Sequence, residues 1–219
     1  MTALLRSIVR VALALALVAG PATAQVTSVI NFSGKGWETG GNPPSHFGDV
    51  LTAVGTIGAV HQPLFWSPNR YSYTFDISGL MSLGEVVYGT THVCQYSGGR
   101  FQIHVDALPS NATYGVNPPN ATSPTTFLDG VSLYLDGNFT SFMSTFNTAT
   151  LSGTIAGSLV FTGGNVYPQL ASADGWTVAA QMGHSSTVGY DTDWNGALYL
   201  SGPTSTDVAT WGGIKSLYR

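Results

Sequence analysis

Asp191, Asp193 and Asn195 have the spacing that comes nearest to a defined chemistry. Oxygen-bearing side chains at the first, third and fifth positions of a tight turn, followed by Gly196, begin a calcium loop of the D-x-D-x-N-G kind. A hard cation takes carboxylate and amide oxygens, and glycine permits the sharp turn. The twelfth position is Gly202, where a complete loop carries Glu. The competing expectation is therefore an Asn195-Gly196 hairpin turn in an acidic segment. An ion held at this place would be structural rather than catalytic.

Trp37, Trp66, Trp194 and Trp211 fall in or near loop sequence and form a candidate platform for the apolar face of a sugar ring. Against that stands the expectation that they cap the ends of the core. His46, His61, His92, His104 and His184, with Cys94, show no closed zinc spacing and read as histidines satisfied in or beside the core. The lone Cys94 can form no intrachain disulfide and reads as a buried thiol. No Gly-x-Ser-x-Gly occurs, and Gly34-Lys35-Gly36 lacks the spacing and following helix of a phosphate loop. A pair of carboxylates for glycoside hydrolysis cannot be chosen from the eleven acidic residues, Glu38 and Glu85 among them, without a fold.

The elements that must position these residues are strands. Leu151, Gly153, Ile155, Gly157, Leu159 and Phe161 alternate with Ser152, Thr154, Ala156, Ser158, Val160 and Thr162, the period of a strand with one buried face. Val131, Leu133 and Leu135 repeat it upstream, so a long hairpin over Phe127–Thr162 organises the chain. The apolar parity shifts from Phe139 to Phe142 and Phe146, which requires a β-bulge near Gly137–Ser141. The turn of that hairpin falls at Asn147–Thr150. Tyr71, Tyr73, Phe75 and Ile77 mark another strand, as do Trp176, Val178, Ala180 and Met182. Val26–Phe32 reads as a first strand, Gly34–Phe47 as a loop, and Asp49–Val60 as a bent strand. Glu85–Tyr96 and Arg100–Leu108 read as a hairpin about Gly98-Gly99. Gly196–Ser201 reads as a strand beyond the Asn195-Gly196 turn.

Residues 1–24 read as an export signal: Arg6 and Arg10 precede the apolar run Val11–Gly20, and Ala22-Thr23-Ala24 is a cleavage site. The apolar run is too short to leave a membrane span once the signal is removed. Residues 25–219 read as a single domain with a long Pro-rich crossover at 109–125. Only 8% of the residues are charged, with a net charge of −4 and no basic cluster, which argues against nucleic acid as a partner. Such a composition suits an exported protein that relies on Ser, Thr, Asn and Gly for its polar surface.

The runs Gly48-Asp-Val-Leu-Thr-Ala-Val-Gly55, Tyr71–Leu80, Tyr96-Ser-Gly-Gly-Arg-Phe101 and Phe127-Leu-Asp-Gly130 through Phe161-Thr-Gly-Gly164 resemble uncharacterised exported β-proteins of environmental bacteria. Some of those resemble surface proteins sorted by a C-terminal anchor. The resemblance implies secretion and a β fold, and it carries over no catalytic residue. The final Lys215-Ser-Leu-Tyr-Arg219 has no apolar tail, so an anchor is not expected.

The expectation is thus an all-β protein: a two-layer antiparallel β-sandwich of jelly-roll type with roughly ten strands. The alternative is an open β-barrel, and an eight-stranded outer-membrane barrel is a further, lesser possibility that export and alternation permit. The functional expectation is a secreted or cell-surface, non-catalytic protein with a structural or binding role. Its alternatives are a glycan-binding module assisted by calcium, and a secreted hydrolase with carboxylates hidden in the fold. Glycan and self-association are the partners in view.

Overall fold

The computed structural model describes residues 26–110, 112–114 and 125–201. The residues read as an export signal, Trp211 and most of the Pro-rich crossover lie outside them. The strands are β1 (Val26–Glu38), β2 (Val50–Val60), β3 (Tyr71–Tyr88), β4 (Thr91–Ala107), β5 (Ser132–Asn147), β6 (Ser152–Gly163), β7 (Trp176–His184) and β8 (Thr192–Ser201). A single helical turn, α1 (Thr125–Leu128), precedes β5. All neighbours pair antiparallel, and β1 pairs with β8, so the sheet closes into an eight-stranded up-and-down barrel.

The chain is all-β, and it is a barrel. The two-layer sandwich is not formed. Inward/outward alternation is common to both architectures, and closure is decided by the β1–β8 register, in which Phe32 stands opposite Gly196 and Gly34 opposite Trp194.

An eight-stranded barrel is just wide enough for side chains to fill it. Phe75, Phe101, Leu135, Ile155, Phe161, Trp176 and Leu198 point inward and are almost wholly shielded from solvent. Glycines on neighbouring strands make the room. Gly34, Gly55 and Phe75 share one level across β1, β2 and β3. A methyl group added at Gly34 would lie 2.6 Å from the tip of the Phe75 ring, and one at Gly36 would lie 2.8 Å from the Trp194 indole. The rings then meet edge on: Phe32 and Phe75 at 5.2 Å, Phe139 and Phe142 at 5.1 Å, Phe161 and Trp176 at 5.0 Å between centroids.

Outward positions on β6 and β7 include Thr154, Ala156, Ser158, Val160, Thr177, Ala179 and Gln181. On these two strands the outer face is mainly polar, unlike the apolar outer band of a barrel standing in lipid. No helix among the described residues is long and apolar enough to cross a membrane.

Several local expectations change. The Gly98-Gly99 pair does not reverse the chain. Both residues have positive φ, but they kink the continuous β4 opposite Gly79, itself at positive φ, and the reversal occurs at Gly89-Thr90. The Gly34–Phe47 loop starts later, because β1 runs on to Glu38. Asn195 and Gly196 lie inside β8 and not in a turn. Phe127 is on α1, buried against the outside of the barrel with Trp37, Val54 and Tyr190. Val131 is exposed, not inward. The bulge near Gly137–Ser141 is present, as register shifts at Asp136/Gly137 and Phe139/Ser141. The turn after Asn147 is also present, its side chain accepting the N–H groups of Ala149 and Thr150.

Candidate functional site

The strand ends near Glu38, Val50, Tyr88, Thr91, Asn147, Ser152, His184 and Thr192 form one mouth of the barrel. Phe32, Gly34, Gly36 and Glu38 share the inward parity of β1, so the last of them delivers a carboxyl group into that mouth. Glu38 has no solvent exposure. Its carboxyl accepts the Tyr96 hydroxyl at 3.1 Å and the Ser45 hydroxyl. Ser45 comes from the loop after β1 and also meets the Ser82 hydroxyl at 2.7 Å and the Cys94 thiol at 3.2 Å. The Ser45 N–H donates to Glu85 Oε2 at 3.1 Å, and Glu85 Oε1 lies 3.0 Å from His92 Nδ1. Residues 39–49 are therefore a plug, pinned at its inner tip by Ser45. Asp49 ties the plug's ends together, taking the Thr39 hydroxyl and the His46 N–H.

Burial pushes the Glu38 carboxyl up to about 7, opposed by the hydrogen bonds from Ser45 and Tyr96 and assisted by the carboxylates of Asp49 and Asp191. Burial also raises Asp191, against the N–H donors of Glu38 and Asn42. Tyr96 is raised by burial and by its neighbour Glu38.

A hydroxyl, a thiol and a carboxyl in contact are the parts of a nucleophile–base pair. Their setting is wrong for that work. Glu38, Ser45, Ser82, Cys94 and Tyr96 are each at most 4% exposed, so no substrate carbonyl reaches them while the plug is seated. Among the described residues no buried side-chain nitrogen or oxygen lacks a partner. The cluster satisfies itself, as an internal polar knot that fastens the plug.

The sequence-derived sites are dispersed. Asp191 Oδ2 accepts the Glu38 N–H at 2.8 Å. Asp193 lies on the outside of β8, where Oδ1 is taken by Lys35 Nζ at 2.5 Å and by the Ser185 hydroxyl at 2.8 Å. Asn195 is exposed two residues further along the extended strand. A calcium loop needs a tight turn that aims these oxygens at one centre, and the extended backbone spreads them along the wall. Chelation with EDTA is accordingly expected to leave the thermal midpoint unchanged. A rise of several degrees on adding millimolar calcium would reinstate the ion.

Among the described residues, Trp37, Trp66 and Trp194 do not converge on one face. Trp37 is buried on the outer wall, edge on to Tyr190 at 5.4 Å. Trp66 packs on Tyr73 at 4.2 Å at the opposite barrel end. Trp194 is inside the lumen, its indole N–H donating to Thr192 Oγ1 at 2.8 Å. Three of the five histidines lie against carboxylates: His92 against Glu85, His104 against Asp76 at 2.9 Å and His46 against Asp49 at 3.3 Å. No group of three His, Cys, Asp or Glu that could hold a metal occurs among the described residues.

A groove that sequence reasoning did not find crosses the outer wall from β4 to β7. It has a volume of about 580 Å³, and its walls include Gln95, Thr140, Ser141, Met143, Ser158 and Thr177. The register shift at Phe139/Ser141 falls within it, and Leu83 of β3 also lines it. Its lining carries hydroxyls, one amide and apolar surface, and no charge. Comparison with protein-family models, with curated proteins and with solved structures finds no match.

Proposed function

We propose that this is an exported, non-catalytic β-barrel whose role, structural or binding, is exercised by its outer surface. One observation carries the reading. The lumen, where small barrels of this size hold a ligand or a reaction, is filled by its own aromatic side chains and fastened at one mouth by the Glu38–Ser45 knot. The test is a panel of polysaccharides and esters incubated with the purified protein. No turnover is expected, and hydrolysis of any member that is lost on Ser45→Ala would defeat the proposal.

A second reading is favoured by the groove. Its uncharged mix of hydroxyl, amide and apolar surface is the chemistry that receives a neutral oligosaccharide, and its volume suits a short one. Ser158→Arg and Thr140→Arg place long side chains across it without touching the core. Binding on a glycan array is expected to disappear in these variants while the fold is retained. An array blank for the unaltered protein would remove the glycan and leave the structural role.

A further inference from the structure

We propose that the free edge of β3 over Glu85–Tyr88 is a self-association strand that pairs with the same edge of a second copy of this chain. β2 and β3 pair only as far as Val50 opposite Met81, and the plug adds backbone hydrogen bonds at Ser82 alone, from the Gly48 N–H and to the Asp49 carbonyl. Above that level β3 continues for a further half-dozen residues, paired with β4 on one side. On the other side no described residue hydrogen-bonds to the backbone of residues 85–88. The N–H and C=O groups there form a row that a further strand would complete.

Natural edges are blunted by charge, proline or an inward lysine. This one carries Val86, Val87 and Tyr88, exposed by 53%, 49% and 68%. Its single charged residue, Glu85, is turned away to His92 and the Ser45 N–H. Phe47, 78% exposed, stands beside Gly84 at the foot of the edge and widens the apolar strip.

The strip fits itself. A two-fold axis through Val87 sets two copies antiparallel, with Val86 of one opposite Tyr88 of the other and Val87 opposite Val87. Each outer pair is then β-branched on aromatic, a favourable cross-strand combination. No like charges meet, although the chain as a whole is acidic. A closed two-fold pairing also ends the assembly at two copies, because each barrel offers this edge once. The association is independent of whether the outer groove binds anything.

The test is sedimentation equilibrium on the full chain from roughly 1 μM to 1 mM, a range that brackets small interfaces. Hydrogen exchange of residues 85–88 is followed over the same range. The mass is expected to double towards the upper end, and the edge amides to slow with concentration by about tenfold or more. The double variant Val86→Lys, Tyr88→Lys changes only exposed side chains and is expected to stay monomeric throughout. A mass that remains monomeric to the top of the range overturns the proposal. So does a dimer that the two lysines leave intact, or edge amides that exchange slowly at every concentration, which would mean that a different strand already covers them.

Discussion

Phe75→Ala is expected to lower the stability of the barrel by about 3–5 kcal/mol, towards the upper end of large-to-small core changes. Phe75 is fully shielded from solvent and joins the rings of Phe32 and Phe101, at 5.2 and 5.8 Å. The loss at such a site has two parts, the apolar surface returned to water on unfolding and the hole left behind. The hole decides the magnitude. A cavity shrinks when its neighbours lean in, yet two neighbours of this ring are Gly34 and Gly55, which have no side chain to swing. Closure would need the backbone of β1 and β2 to move, and both are held in a closed ladder. Urea unfolding of the variant gives the number. A loss below about 2 kcal/mol would show that the wall relaxes inward and that these glycines are not a rigid seat.

The second large effect is a dependence of stability on pH that comes from Glu38. The unfolded chain releases this proton near 4.5 and the folded chain near 7. Between those values the folded state holds one proton more than the unfolded state, so stability falls as pH rises. The contribution is complete below the unfolded pKa, is lost through the interval up to the folded pKa, and is flat above it. The size is on the order of 3 kcal/mol, from about 1.4 kcal/mol for each pH unit of the interval. Asp191, also raised by burial, acts in the same direction. Glu38→Gln keeps the shape and cannot ionise. The Glu38→Gln variant is expected to match the unaltered protein at pH 4 and to exceed it at pH 8 by that amount. Glu38→Ala should instead lose stability at both, because it strands the Ser45 and Tyr96 hydroxyls. Urea midpoints at several pH values decide the matter. A midpoint that stays level from pH 5 to 7.5 would mean that the plug admits water to the carboxylate.

What could be read in the residues was whatever is written locally. Tyr71–Ile77, Leu151–Phe161 and Trp176–Met182 alternate because each strand has one wet and one dry face, and all three are strands of the barrel. The choice between sandwich and barrel is not local. It lies in the pairing of Val26–Gly36 with Thr192–Ser201, at opposite ends of the described chain. The upper half of β1 was illegible for a related reason. Gly34 and Gly36 look like loop residues in sequence, yet they are inward positions emptied to receive Phe75 and Trp194 from other strands. With that half of β1 read as loop, Glu38 had no face assigned and the polar knot was missed. Trp194 was recoverable: Thr192, Trp194, Gly196 and Leu198 share one parity, and extending the strand backwards from Leu198 would have put the indole inside. The tight calcium turn failed on the same parity, since a strand cannot gather the oxygens of Asp193 and Asn195 about one point.

The seam between the first and last strands also governs time. Every other neighbour in the barrel is the next strand along the chain and can form as soon as it is made. The seam must wait for the ten residues of β8, and it joins ends whose intervening loop is nearly the whole barrel. A chain emerging from the ribosome therefore passes through an unsealed stage with two long open flanks and its aromatic face turned towards water. For a chain exported as proposed, and so threaded through a translocation pore before it folds, that late closure is an advantage. It leaves the barrel unsealed until its last strand has been delivered.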